Sequence, residues 1–301
     1  MGRIGERPLF GYFLTPVAAS YGELARQARL ADDLGLDLLG IQDHPYQRRF
    51  FDTWTLLSAL AVETRRIRLF PDVANLPLRQ PAVLGKSVAS LDVISGGRVE
   101  LGLGAGSFWE AIEAMGGPAR SPGDSVQALE EAIAVIRLMW SGERAVRFEG
   151  RFHSLAGVHP GPPPAHPIGI WLGAAGPKML ELTGRLADGW VPSSSWATPD
   201  RLEGMHGRID DAAEAAGRDR SAVLRVYNVF GRITDGPSVG FLDGPADRWI
   251  DDLTELATTF RMDAFVVGFD GVPDRPLRLF AEEVAPGVRD LVDRARKGAQ
   301  A

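Results

Sequence analysis

Short apolar runs alternate along the chain with longer segments in which apolar residues return every three or four positions. Residues 9–14 form the first such run, stopped by Thr15-Pro16, and 21–34 carry helical spacing that Gly35 closes. The strand–helix pair then repeats as 37–42 with 54–63, 67–70 with 82–94, 98–103 with 125–140 and 168–172 with 178–187. It continues as 189–192 with 199–216, 223–229 with 246–260, and 265–268 with a helical region over 277–296. Strands this short and apolar on both faces belong to a parallel sheet covered by helices. One stretch breaks the pattern. Residues 145–155 alternate apolar and charged positions around Glu149-Gly150, which predicts an exposed β-hairpin, and 159–167 form a Pro-rich connector.

Eight strand–helix units, with no Gly-rich fingerprint after the first strand, predict a closed barrel rather than an open doubly wound sheet. The expectation is one α/β domain over 1–301. It is a (β/α)8 TIM barrel with a β-hairpin and Pro-rich connector inserted after strand 4, at about 141–167. The insertion is expected to serve as a lid.

Composition narrows the chemistry. Hydrophobic residues make up 45% and charged residues 24%, as in a globular enzyme, and no apolar stretch reaches the roughly 18–20 residues of a membrane helix. The charged start Met1-Gly-Arg-Ile-Gly-Glu-Arg has no apolar run behind it, so a cytoplasmic protein is expected. The absence of Cys removes disulfides, thiolate metal sites and cysteine nucleophiles, leaving redox work to an organic cofactor. A net charge of -6 without a basic run gives no footprint for nucleic acid.

Active sites of such barrels form at the C-terminal ends of the strands. Strand five ends in Gly173, Ala174, Ala175, Gly176, Pro177 and Lys178. Small residues leading into a helix with Pro in its first turn leave backbone N–H groups free for a phosphate, although a plain tight turn has the same pattern. Gly102, Gly104 and Gly106 alternate at the end of strand four, where a flat ring or another backbone could approach, or the barrel could bend. His44 is the one histidine at a strand end and follows Asp43, whose carboxylate would raise its proton affinity. No second His or carboxylate stands at ligand spacing from it, so no metal site is expected. Trp171 and Trp190 fall within strands and read as packing. Ser107, Phe108, Trp109, Ser193 and Trp196 follow strand ends and are candidates for a substrate cavity.

Four stretches are specific when taken together: Leu78-Arg79-Gln80-Pro81-Ala82, Leu91-Asp92-Val93-Ile94-Ser95-Gly96-Gly97-Arg98, Leu101-Gly102-Leu103-Gly104-Ala105-Gly106, and Thr183-Gly184-Arg185-Leu186-Ala187-Asp188-Gly189-Trp190. In this order they resemble the bacterial luciferase-like superfamily, barrels that use FMN or the deazaflavin coenzyme F420, and the resemblance covers nearly the whole chain. It implies a non-proline cis peptide at Asp72-Val73 backing the cofactor ring, Asn75 in contact with the cofactor, Ala105 and Gly106 flanking the ring, and 173–178 holding the phosphate. Asp43-His44 resembles the pair of deazaflavin-dependent dehydrogenases and reductases. The implied reaction is F420-linked hydride transfer to or from a small organic substrate, with His44 moving the proton and Asp43 orienting His44 or the cofactor. The alternative is a two-component FMN monooxygenase that uses oxygen and receives reduced flavin from a separate reductase. A homodimer through helices two and three is also implied. Ser107 and Trp196 stand where the sugar-phosphate dehydrogenase branch carries a catalytic Glu and a phosphate-binding Lys, which points to a more apolar substrate.

Overall fold

A computed structural model describes residues 7–269, 271 and 273–300. The charged start over 1–6 lies outside the described residues. The predicted strands appear at Leu9–Leu14 (β1), Leu38–Ile41 (β2), Arg68–Pro71 (β3), Leu101–Gly104 (β5), Ile170–Leu172 (β8), Gly189–Trp190 (β9), Leu224–Ile233 (β10) and Ala264–Phe269 (β12). Four short strands complete the set: Ala74–Asn75 (β4), Val146–Glu149 (β6), Ser154–Val158 (β7) and Asp243–Gly244 (β11). The parallel order β3-β2-β1-β12-β10-β9-β8-β5-β4 returns to its start, because β4 continues β3 and Leu69 also bridges Val99. That is the expected closed barrel.

Helices Tyr21–Asp33 (α1), Thr53–Glu63 (α2), Pro81–Ser95 (α3), Trp109–Ala114 (α4), Pro122–Trp140 (α5), Pro177–Leu186 (α6), Pro199–Ala215 (α7), Ala246–Thr258 (α8), Asp274–Leu279 (α9) and Ala285–Gln300 (α10) follow the strands. None among the described residues is long and apolar enough to cross a membrane. Their starts follow local chemistry. Ser20, Asp52, Gln80 and Ser121 each accept a backbone N–H from the first turn, and Pro opens α3, α5, α6 and α7. The single helix expected over 277–296 is instead broken by a π turn at Phe280–Val284.

Strand side chains alternate between two cores. Leu39, Tyr227 and Val267 face the helices, while Leu38, Val226 and Val266 fill the lumen with Phe70 and Trp171. Side chains this wide cannot all share so narrow a space, and lumen glycines make the room. A Cβ at Gly189 would lie 2.5 Å from Trp171, and one at Gly40 2.9 Å from Phe70.

The insertion falls where expected in the chain but differs in role. Its hairpin runs to Val158 and packs Val146 and Leu155 on Val135 and Met139 of α5. The carboxylate of Glu131 accepts the backbone N–H groups of Arg151, Phe152 and His153. The connector ends with His166 bonded to Asp92 at 2.8 Å, beside Glu100 at the start of β5. A segment between a helix and the next strand lies at the N-terminal rim, opposite the mouth where barrel sites form. None of 141–167 lines the cavity described below, so the lid expectation is corrected.

Candidate active site

A cavity of about 730 Å³ opens at the C-terminal ends of the strands. The turn after β2 brings Asp43 and His44 to it, and the β3–β4 turn brings Asp72, Val73 and Asn75. Ala105, Gly106, Ser107 and Phe108 reach it from the end of β5, and Gly173, Ala175 and Gly176 from the end of β8. Ser193 and Trp196 close the far side. Four candidates are not in its wall. Trp109 begins α4, an element the periodicity missed, and packs behind Gly106, whose Cβ would meet its ring at 3.1 Å. Ala174 is buried, and its carbonyl accepts the indole N–H of Trp190 at 2.9 Å. Pro177 and Lys178 form the exposed first turn of α6.

The peptide Asp72–Val73 is cis, at the position the resemblance implied. The alternating glycines serve this segment. A Cβ at Gly102 would stand 2.0 Å from the Pro71 carbonyl oxygen, and those at Gly104 and Gly173 would each stand 2.9 Å from Val73. Of the approaches left open for these glycines, the one made at Gly102 is by backbone.

Asp43 is 2% exposed and does not bond His44. Arg79 donates to it through Nη2 at 2.7 Å and Nε at 3.2 Å, and the Asn75 N–H donates at 2.9 Å. Arg79 also reaches Asp52, the N-cap of α2, at 2.6 Å. The carboxylate therefore ties the β2 and β3 turns together. Orientation of His44 falls to Tyr46, whose hydroxyl lies 2.7 Å from Nδ1, and to Phe108, whose ring meets the imidazole edge-on at 5.6 Å. Burial lowers the proton affinity of His44 despite the opposing charge of Asp43, so the net shift is the reverse of the expected one. Burial also raises the Tyr46 hydroxyl to about 12. The imidazole is neutral at pH 7 and the phenol protonated.

Three residues were invisible to motif reading. Asn228, from the lumen face of β10, donates from Nδ2 to Asp72 Oδ1 at 2.8 Å across 156 residues of sequence. Phe13 and Phe230 meet edge to face at 5.1 Å and form an apolar wall of the cavity. An apolar residue in an apolar strand carries no local signal of facing a cavity, and an Asn inside β10 was the one legible oddity.

At the N-terminus of α6, Gly176 occupies the cap without a side-chain hydrogen bond, and the N–H groups of Lys178 and Met179 have no helical acceptor. Space beside Gly176 is open, with nothing within 4 Å of a Cβ built there. The cavity thus combines a titratable imidazole, an aromatic wall and, at its edge, a helix start suited to an anion.

The model for the family described as luciferase-like monooxygenase matches residues 9–238. The chain belongs to the luciferase-like monooxygenase family. A 5,10-methylenetetrahydromethanopterin reductase of Archaeoglobus fulgidus is 35% identical over 202 residues, 67% of this chain and 58% of that protein. The match thus spans less than two thirds of that relative's length. Among solved structures, an F420-dependent secondary alcohol dehydrogenase in complex with an F420-acetone adduct superposes with a TM-score of 0.83 at 19% identity, covering 94% of this chain and all of that one. The oxygenating constituent of 3,6-diketocamphane monooxygenase from Pseudomonas putida, in complex with FMN, gives 0.75 at 18%, covering 93% and 98%. At these identities the structural likeness is one of fold.

Proposed function

We propose that this luciferase-like chain is an F420-dependent oxidoreductase that exchanges a hydride with a small, largely apolar organic substrate. The observation that carries the reading is His44, a neutral imidazole in the cavity wall with Nδ1 held by Tyr46. The residues present fit the cofactor. Asp72 Oδ2, Asn75 Oδ1 and Asn228 Oδ1 are buried without partners in side chains that line the cavity, which suits the polar edge of a flavin-like ring, and the α6 start suits its phosphate. Bound there, a deazaflavin supplies a two-electron hydride donor or acceptor.

The chain's own groups supply the proton. The Tyr46 hydroxyl can donate to or accept from Nδ1, so Nε2 of His44 is free to give a proton to a substrate oxygen or nitrogen, or to take one from it. Phe13, Phe108, Trp196 and Phe230 present aromatic surface to an apolar substrate and exclude water. A second reading, an FMN monooxygenase supplied with reduced flavin by a separate reductase, draws support from the match to the luciferase-like monooxygenase family model.

Titration of the protein with F420 and, separately, FMN, followed by fluorescence quenching, tests the assignment. Preferential F420 binding is expected, FMN preference moves the reading to the monooxygenase, and binding of neither sinks it. Gly176→Asp is expected to weaken binding at least ~10-fold by placing a carboxylate beside the phosphate, a loss of about 1.4 kcal/mol or more. Asp is also a favourable N-cap, so thermal stability should hold or rise while affinity falls.

We further propose a homodimer through α2 and α3, which leave Val62 72%, Val83 63% and Ile94 64% exposed. Sedimentation at micromolar concentration is expected to give a dimer that Val83→Asp converts to monomer. A monomeric wild-type protein would refute this.

A further inference from the structure

Asp72 is a carboxyl group with no cation among the described residues to hold its charge. It follows directly on β3, two residues beyond the lumen-facing Phe70, and is 8% exposed. Its backbone N–H donates to the Ile41 carbonyl at 2.7 Å, and Asn228 Nδ2 donates to Oδ1 at 2.8 Å. Both anchors fix the side chain beneath the cavity. Oδ2 has no partner and occupies space left by Gly40, where a Cβ would come within 2.8 Å of it.

The elements around Asp72 offer no compensating charge among the described residues. The turn after β2 contributes Asp43, already neutralised by Arg79, together with the neutral imidazole of His44 and the phenol of Tyr46. β10 contributes Asn228, β1 Phe13, β5 Gly104 and β8 Gly173. Burial raises the carboxyl to about 7, with the Asn228 bond opposing the shift.

We propose that Asp72 binds the cofactor ring as a neutral carboxyl group, so that cofactor binding takes up one proton from solvent. The proposal rests on the reading of this cavity as an F420 or FMN site. A planar ligand across the mouth removes the water that still reaches Asp72, and its phosphate adds negative charge; both favour the protonated acid. The neutral acid is also a hydrogen-bond donor toward a ring carbonyl or nitrogen, which a carboxylate is not. Asn228 Oδ1, likewise unpartnered, supplies an acceptor beside it.

Below about pH 7 the acid is protonated before and after binding, and no proton is taken up. Above that value the free protein holds a carboxylate, one proton enters with the cofactor, and affinity falls about tenfold per pH unit.

The test is calorimetric titration with F420 and with FMN at pH 8, in two buffers of different ionisation enthalpy, on wild type, Asp72→Asn and His44→Gln. Wild type and His44→Gln are expected to take up close to one proton more than Asp72→Asn. Wild-type affinity should drop about tenfold from pH 7.5 to 8.5, and that of Asp72→Asn less than twofold. Asp72→Ser serves in the same role if the Asn variant does not fold. Equal proton uptake in wild type and the Asp72 variants overturns the inference and leaves the cofactor reading standing. Uptake lost in His44→Gln instead assigns the proton to His44 and also overturns it. Failure of wild type to bind either cofactor overturns both.

Discussion

His44→Ala is expected to lower kcat/KM by about 10²–10⁴-fold, the usual contribution of one positioned general acid or base, while F420 affinity changes by less than about threefold. The separation follows from the geometry: the imidazole is held by Tyr46 and Phe108 at the cavity wall, whereas the phosphate end of a cofactor is proposed to bind at the start of α6. Because burial lowers the proton affinity of His44, the imidazole is uncharged through the neutral range. In the direction of substrate oxidation, kcat/KM should therefore rise through a single limb below the ordinary histidine value of about 6.5 and then level off. The alanine variant should lose that limb along with the rate. Tyr46→Phe removes the partner of Nδ1 but leaves the ring, and should cost a smaller factor and shift the limb. An unaltered rate in His44→Ala would remove this residue from the chemistry and leave the hydride-transfer reading without its proton donor.

The second large effect is on stability. Gly102→Ala should lower the melting temperature by several degrees, because its Cβ would stand 2.0 Å from the Pro71 carbonyl oxygen and 3.1 Å from Val73. Overpacking usually costs about 1–3 kcal/mol, and a backbone carbonyl in a closed barrel has little room to retreat. For a 301-residue domain each kcal/mol is worth about 2 °C, so a fall of roughly 2–6 °C is expected. The displaced segment carries Asp72 and Val73, and cofactor affinity should fall with stability. Gly123→Ala is the control. It lies in the first turn of α5 with only the Ser121 hydroxyl, at 3.9 Å, near its Cβ, so it should be neutral or slightly stabilising. Equal melting curves for Gly102→Ala and wild type would show that the β3–β4 turn does not depend on this glycine.

Much of this protein is written in local patterns. Short runs apolar on both faces and helical spacing of three to four residues marked the eight strands and most of the helices, since each is decided within a few residues. Strand ends marked the candidate site, because a parallel barrel forms its sites there. His44, Asn75, Gly106 and Gly176 accordingly line one cavity. α4 escaped because six residues in a mouth loop are too few to show a period.

What local pattern could not decide is which distant groups meet. Asp43 appears in sequence as the neighbour of His44, yet its charge is bound by Arg79, 36 residues on, and His44 turns to Tyr46. The glycines of β5 read equally as room for a ring or for backbone, and only barrel closure brings the Pro71 carbonyl against Gly102. The hairpin read as a lid, until the alternation of strand and helix placed it at the opposite rim. Asp72 and Asn228 lie 156 residues apart and meet because β3 and β10 share one lumen. Periodicity records how deeply each residue is buried. The stagger and closure of the barrel determine what it is buried against, and that partner sets whether a carboxyl such as Asp72 keeps its proton.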